Sequence, residues 1–202
     1  MMTAGEVMAR TPFVLPLDAD NRLLPDCAAA CLRTARAAGA AFAYPLIRQF
    51  GTAEGLMGEP GYDPVRLANS NYIGAMALVS KAAWAGVGGY DHVRGGWEDF
   101  DFWCRLAERG LWGVRVPGGP FAEYRVHGTS MIQAAIAQPD TMRRMMDDLE
   151  RRHPWLTLIW PLPESSRGGD TPAAPPPGKV SDADGRLARL LPVLDCPEPG
   201  GG

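Results

Sequence analysis

Short apolar runs alternate with segments of helical periodicity through the first 160 residues of this chain. A short apolar run is typical of a buried strand, whereas apolar positions three or four apart form one face of a helix. The runs predict five strands, at Phe13–Leu17, Ala41–Ile47, Ile73–Val79, Trp112–Val116 and Phe121–Val126. The periodic segments predict helices between Pro25 and Gly39, from Lys81, at Trp97–Arg109 and at Thr141–His153, with a loop at Gly51–Asn71. This order indicates an α/β fold in which helices flank a mixed sheet.

The last 42 residues differ from the rest in composition. Pro and Gly make up 16 of them, against 27 of the first 160. Such a segment has too little apolar surface to offset the entropy that it would lose on ordering. The sequence therefore predicts one folded domain at residues 1–160 and a disordered tail, rich in Pro and Gly, at residues 161–202.

Charge and cysteine content argue against several classes of protein. The formal net charge is -3, so no basic excess is available to neutralise the phosphates of a nucleic acid. No apolar run reaches the length of a membrane-spanning helix, and the first residues do not have the pattern of a signal peptide. The expected location is the cytoplasm, or the inner face of the membrane for a peripheral protein. Cys27 and Cys31 share one helix face and are interpreted as a core pair, with a metal or redox pair as the alternative.

Two carboxylates, Asp18 and Asp20, follow the first predicted strand in the run LDADN. Ligands bind at the carboxyl ends of strands in open α/β sheets, and carboxylates there cost free energy unless they meet a cation or hydrogen-bond donors. Oxygen ligands of this kind suit Mg²⁺ or Mn²⁺ that bridges to a diphosphate. A turn that leads to the helix at Pro25 explains the spacing equally well, so both interpretations stay open.

Three acids crowd the start of the helix predicted at Trp97–Arg109. Glu98, Asp99 and Asp101 follow a Gly-Gly-Trp run. Acids are favourable at a helix N-terminus, and Asp101 is spaced to pair with Arg105 one turn later. The alternative is a general base at the rim of a site, with the glycines as a flexible entrance. Taken alone, the helix favours the first interpretation.

A histidine, His127, ends the last predicted strand in the run YRVHG. Imidazole is a metal or phosphate ligand, although a single histidine at a strand end more often has a structural role. His153 falls at the predicted C-terminus of the last helix, where a cation is favourable in itself.

Taken in order, the runs LDADN, GGYD, WEDFDFWCRL and YRVHGTSM resemble the C-terminal half of an inverting family 2 glycosyltransferase with the GT-A fold. The stretch from Asn71 to Gly110 is also similar to the galactosyltransferase C-terminal module, which carries a comparable Gly-Trp and Glu-Asp segment. The resemblance covers roughly Phe13 to Met131. It implies metal-dependent transfer of a sugar from a nucleotide-sugar donor to an acceptor hydroxyl, with inversion at the anomeric carbon.

The resemblance implies roles for the matching positions. Asp20 would ligate the Mg²⁺ or Mn²⁺ that bridges the donor diphosphate, and His127 would assist the metal or the diphosphate. Asp18 would lie near the nucleotide or the sugar. Asp99, with Glu98 beside it, matches the acidic pair from which the catalytic base is drawn.

Two tryptophans are further candidates. Trp97 and Trp103 are placed to line the acceptor side, since sugars stack on aromatic faces, but a position in the core is the favoured interpretation for Trp103.

The expected partners are a nucleotide-diphosphate sugar, of the UDP type, and a saccharide, lipid-linked or protein acceptor. Only 17 residues precede Asp18, so the expected fold is GT-A-like but lacks the N-terminal nucleotide-binding strands. A sheet without these strands leaves open edges, and we expect the chain alone to be poorly soluble or inactive. The alternative function is a non-catalytic nucleotide- or carbohydrate-binding remnant that needs a partner.

Overall fold

A computed structural model describes residues 9–128 and 135–159 of the chain. The predicted tail at residues 161–202 lies outside the described residues. The strands are β1 (Phe13–Val14), β2 (Arg22–Leu23), β3 (Phe42–Tyr44), β4 (Ile47–Gly51), β5 (Gly55–Met57), β6 (Leu78–Ser80), β7 (Gly113–Arg115) and β8 (Ala122–Val126). The helices are α1 (Cys27–Ala38), α2 (Pro64–Leu67), α3 (Lys81–Val87), α4 (Glu98–Glu108) and α5 (Pro139–Arg152).

The described strands form two four-stranded mixed sheets. The first has the order β1-β6-β3-β7, in which β3 is parallel to β7 and antiparallel to β6. The second has the order β2-β8-β4-β5, in which β4 is parallel to β8 and antiparallel to β5. The predicted combination of helices with mixed strand pairing is confirmed, but the prediction of one sheet is wrong.

The division into two sheets follows from a proline. The predicted strand Ala41–Ile47 is interrupted at Pro45, where β3 ends and β4 follows in the other sheet. Proline has no N–H group and cannot donate to the ladder of a central strand. The segment that links β7 to β8 also passes from the first sheet to the second beside Pro45. There Val116 donates a backbone hydrogen bond to Tyr44, and Phe121 donates one to Leu46, both at 2.9 Å.

Two other predicted strands are shorter than expected. Strand β1 ends at Val14, two residues before Pro16. Strand β6 begins only at Leu78, and the carbonyl of Ile73, at the predicted start, accepts a hydrogen bond from the indole of Trp103 at 3.0 Å. The predicted loop Gly51–Asn71 contains the short elements β5 and α2.

The two hydrophobic clusters share the strand β3. Phe42 and Tyr44 belong to the larger cluster, while Ala43 belongs to the smaller one. This alternation is the two-residue period of a strand with both faces buried. Helix α1 packs in the smaller cluster through Cys27 and Cys31, which are buried free thiols, so the core-pair interpretation is confirmed.

Helix α4 packs in the larger cluster. Its residues Phe100, Phe102 and Trp103 are fully buried, and the Trp103 ring stacks on Phe42 with the ring centroids 4.7 Å apart. Trp103 is therefore a core residue. Within the described residues, no helix combines the length and the apolar character needed to cross a membrane.

Candidate functional site

The turn that carries Asp18 and Asp20, here named the aspartate turn (Asp18–Asn21), is hydrogen-bonded to strand β8 through Asn21. The backbone N–H of Asn21 donates to the carbonyl of Asp18 at 3.1 Å, and its side-chain amide donates to Asp18 Oδ2 at 3.1 Å. The side-chain oxygen Oδ1 of Asn21 accepts a hydrogen bond from the backbone N–H of Arg125 at 2.9 Å. Because Asn21 is buried and fully engaged, the turn holds a fixed position against β8.

This attachment brings Asp20 to His127. The Asp20 Oδ2 and His127 Nε2 atoms lie 3.0 Å apart, and the side chains are 39% and 37% exposed. This contact is a hydrogen bond. Two ligands that bind one Mg²⁺ ion at right angles, with bonds of about 2.1 Å, also lie about 3 Å apart, so the same two atoms are spaced to share a cation once the bonding proton has left. Within the described residues, no three His, Cys, Asp or Glu side chains gather as a metal site. A cation held here would need further ligands, such as phosphate oxygens and water.

Helix α4 begins with an abrupt change of chain direction. Gly95, Gly96 and Trp97 have φ angles of 101°, 109° and 64°. Glycine adopts positive φ freely, but in tryptophan this conformation costs about 1–2 kcal/mol. Trp97 is partly buried and its ring lies edge-on to Phe100, at a centroid distance of 5.7 Å. The turn places Glu98 and Asp99 as the first two residues of the helix.

Asp99 is held in surroundings that oppose its charge. Burial and the neighbouring charge of Glu98 raise the pKa of Asp99 to about 7, although hydrogen bonds from the Phe100 backbone and the Asn71 amide act in the opposite direction. The Asn71 amide lies 3.3 Å from Asp99 Oδ1, and the Phe100 N–H lies 2.8 Å from it. A carboxyl group with a pKa near neutral is suited to accept a proton from a hydroxyl group.

Tyr124, on β8, links the two acidic clusters. Burial raises the pKa of Tyr124, and the charges of Asp18, Asp20 and Asp99 raise it further. Burial and the charge of Asp20 also raise the pKa of Asp18, while the hydrogen bond from Asn21 lowers it. The acids from the β1 end and from the α4 start therefore act electrostatically on the same phenol group.

Glu98 does not share the environment of Asp99. It lines an open cleft of about 470 Å³ with the Gly95–Gly96 turn and with Gln138 and Thr141 of the α5 start. Successive helix residues point in directions about 100° apart, so the two adjacent acids face different spaces. Asp99 is directed to Asn71, and Glu98 is directed to the cleft.

The other two acids of α4 have structural partners. Asp101 pairs with Arg105 at 2.7 Å, as the spacing predicted. His153 is only 2% exposed and lies between Asp101 Oδ1 at 3.2 Å and Glu108 Oε1 at 2.7 Å. The expectation for His153, a favourable cation at a helix end, therefore misses its main interaction, which is a buried bridge between α5 and α4.

Sequence reasoning did not select three residues of the candidate site. Asn21, Asn71 and Tyr124 contact or influence the predicted acids. Asn21 stands within the LDADN run, and a polar residue beside two acids was a signal that could have been used. The role of Tyr124 depends on which strands pair, and no local pattern reveals it.

No known family model matches this chain, and no curated protein matches it. The chemistry of the site is therefore inferred from its own side chains.

Proposed function

We propose that this chain is a glycosyltransferase, or a part of one, that transfers a sugar from a nucleotide-sugar donor to an acceptor hydroxyl with inversion. One observation carries the proposal. The pKa of Asp99 is raised to about 7, and the charges of Asp99, Asp18 and Asp20 all act on Tyr124 of β8, the strand that is followed by the Asp20 partner His127. This supports a base and a candidate cation site that serve one reaction.

Asp99 is the proposed base. Its carboxylate takes the proton of the acceptor hydroxyl while that oxygen attacks the anomeric carbon from the face opposite the leaving group. The bond from that carbon to the diphosphate breaks, and the diphosphate leaves with the electron pair. The Asn71 amide, which donates to Asp99 Oδ1, orients the carboxylate so that its other oxygen is free to accept the proton.

Asp20 and His127 are the residues that would hold Mg²⁺ or Mn²⁺. Their separation fits a shared cation, and the mixed oxygen and imidazole donors suit these ions. When bound, the ion supplies positive charge to the leaving diphosphate. Asp18 is proposed to contact the nucleotide or sugar of a UDP-type donor.

The cleft beside Glu98 is the proposed place for a part of the acceptor away from the reacting hydroxyl, since that hydroxyl must lie at Asp99, which faces a different space. Its volume of about 470 Å³ suits a small saccharide, and Glu98, Gln138 and Thr141 offer hydrogen-bond partners for hydroxyl groups. A saccharide, lipid-linked or protein acceptor fits this description. The proposed setting is the cytoplasm.

The test is release of nucleoside diphosphate from a panel of nucleotide sugars, in Mn²⁺ or Mg²⁺ and again with a chelator. We expect metal-dependent release that is lost in Asp20→Ala. Asp99→Asn should lower the rate by a factor of about 100 or more, since general-base catalysis contributes that much. Asp147→Asn is the matched control, because Asp147 is exposed on α5 and has no role in the site.

The outcome against the proposal is equally concrete. If nucleotide sugars bind without turnover, and Asp99→Ala leaves binding unchanged, the chain is a non-catalytic nucleotide- or carbohydrate-binding protein.

A further inference from the structure

One face of the second sheet carries arginines at aligned positions. The strand register places Arg22 opposite Glu123, Glu123 opposite Arg48, and Arg48 opposite Leu56. Two residues further along the strands, Arg125 pairs with Phe50. Side chains two residues apart in a strand point to the same side. We name this surface the arginine face, consisting of Arg22, Arg48, Phe50, Leu56, Glu123 and Arg125.

The arginine face has no protein layer over it among the described residues. The opposite side of the sheet packs in the smaller hydrophobic cluster through Ile47 and Ala122. Arg22 and Arg48 both pair with Glu123, yet their side chains remain 66% and 55% exposed. Leu56 is 48% exposed. The face thus combines accessible cations with an accessible apolar side chain.

Charge is segregated onto this surface. It carries three arginines and one glutamate, whereas the whole chain has a formal net charge of -3. The guanidinium carbon of Arg22 lies 4.8 Å from the centroid of the Phe50 ring, which keeps that ring covered. An anionic partner that touches only this face gains the attraction of the arginines and avoids the acidic remainder.

We propose that the arginine face docks on a membrane surface that contains anionic lipid. A membrane surface presents many lipid phosphates side by side, and these suit the guanidinium groups that three neighbouring strands carry. The exposed Leu56 adds a second, apolar contribution, which peripheral proteins need for stable attachment. A nucleic acid is less suited, because the one aromatic ring of the face lies under Arg22 and is not available for stacking on bases.

Docking in this way would bring the end of strand β8, next to Asp20 and His127, to the membrane, while Tyr124 points to the other side of the sheet. Arg22 follows Asp20 by two residues, and Arg125 precedes His127 by two. This identification of the acceptor rests on the proposed function, whereas membrane docking does not. If the function holds, the acceptor is a lipid-linked saccharide.

The test is flotation of the full chain with vesicles of phosphatidylcholine alone, or with about one third of an anionic phosphatidylglycerol. We expect binding only to the anionic vesicles, and loss of that binding in about 0.5 M salt. Each arginine is worth about fivefold in partitioning, so R48Q/R125Q should weaken binding about 30-fold. The matched control is R33Q/R143Q, which removes two exposed arginines outside the face and should bind nearly as the parent does. Leu56→Ser should weaken binding a few-fold.

Three outcomes would overturn the proposal. They are no binding to anionic vesicles, equal losses in the two double variants, or binding to a single-stranded oligonucleotide through Arg48 and Arg125 without binding to vesicles. Asp99→Asn separates this proposal from the function, because it should abolish diphosphate release and leave vesicle binding unchanged.

Discussion

At the scale of single residues, Asp99 is a group whose proposed function works against the stability of the fold. Burial and the charge of Glu98 favour the neutral carboxyl group. Above pH 7 the Asp99 carboxylate is charged in the folded chain, where the charge has a higher free energy than it has in water. Such conflicts between stability and local electrostatics are typical of sites that carry out proton transfer.

Removal of this charge should therefore stabilise the chain in a pH-dependent way. The folded pKa, about 7, exceeds the ordinary value of 3.8, so the folded state binds the proton more tightly and stability falls as pH rises from about 4 to 7. Asp99→Asn should raise the melting temperature by a few degrees at pH 8 and by little at pH 4. Thermal unfolding at both pH values measures this, with Asp147→Asn as the control. Equal shifts at the two pH values would contradict it.

Glu98 should tune the pH dependence of the proposed reaction. A base must be deprotonated, so kcat/KM should rise with pH through about 7. Glu98→Gln removes a neighbouring negative charge and should move the midpoint of this rise down by about one pH unit. The pH profile of diphosphate release measures the midpoint. An unchanged midpoint in the variant would show that Asp99 is not the titrating group.

At the scale of elements, helices α4 and α5 are joined by a buried ionic cluster. Asp101 meets Arg105, Arg152 and His153, and Glu108 accepts a second bond from His153 and one from the Trp155 indole at 2.8 Å. Asp101 is 1% exposed. Because every charge in the cluster has an opposite neighbour, the penalty of burial is offset only while all members are present.

The cluster should make stability depend on the charge of His153. Burial opposes the charge, but the bonds to Asp101 and Glu108 raise the pKa of His153 above 6.5, and the same contacts lower the pKa of Asp101 and of Glu108. The histidine contribution is complete below pH 6.5 and is lost as pH rises through the folded pKa, while the carboxylate contributions are lost in acid. The cluster therefore stabilises most between about pH 4.5 and 6.5.

His153→Ala should cost about 3 kcal/mol of unfolding free energy at pH 6, since it removes one partner of the buried Asp101 carboxylate and one of Glu108. The cost should be smaller at pH 9. Urea unfolding at both pH values measures it, and His92→Ala, at an exposed position, serves as the control. A cost that does not change with pH would mean that His153 acts by packing alone.

At the scale of the whole molecule, strand β3 connects the two hydrophobic clusters. Its neighbour β7 approaches it at Gly113, where an added Cβ would collide with the Phe42 ring. Phe42 in turn stacks on Trp103 of α4. A small change at Gly113 therefore disturbs both the pairing of β7 with β3 and the packing of α4 on β3.

Gly113→Ala should reduce the free energy of unfolding by about 1–3 kcal/mol, as expected for overpacking of a core. Gly61→Ala is the matched control, because a Cβ there meets nothing within 4 Å, and it should be close to neutral. Chemical denaturation of the two variants compares them. A cost for Gly61→Ala equal to that of Gly113→Ala would place the effect in the unfolded chain.

What the sequence predicted well is what neighbouring residues decide. Helix α4 was placed to within one residue at each end, and α1 ends where Gly39 adopts a φ of 62°. Strand limits are predicted less well, because the bond between Ile73 and Trp103 and the change of sheet at Pro45 involve residues far along the chain. The position of Asp18 and Asp20 in the fold has no local signal, because it depends on the pairing of β2 with β8 and on the bond from Arg125 to Asn21.

The hydrogen bond between Asn21 and Arg125 also bears on when the candidate site forms during folding. It joins residues 104 positions apart in the chain. Closing so long a loop costs more chain entropy than closing a short one, and contacts of this kind slow folding. A chain in which β2 and β8 are not yet paired does not hold Asp20 beside His127. We therefore expect the candidate site to form only when these two strands pair, and to be lost when they separate.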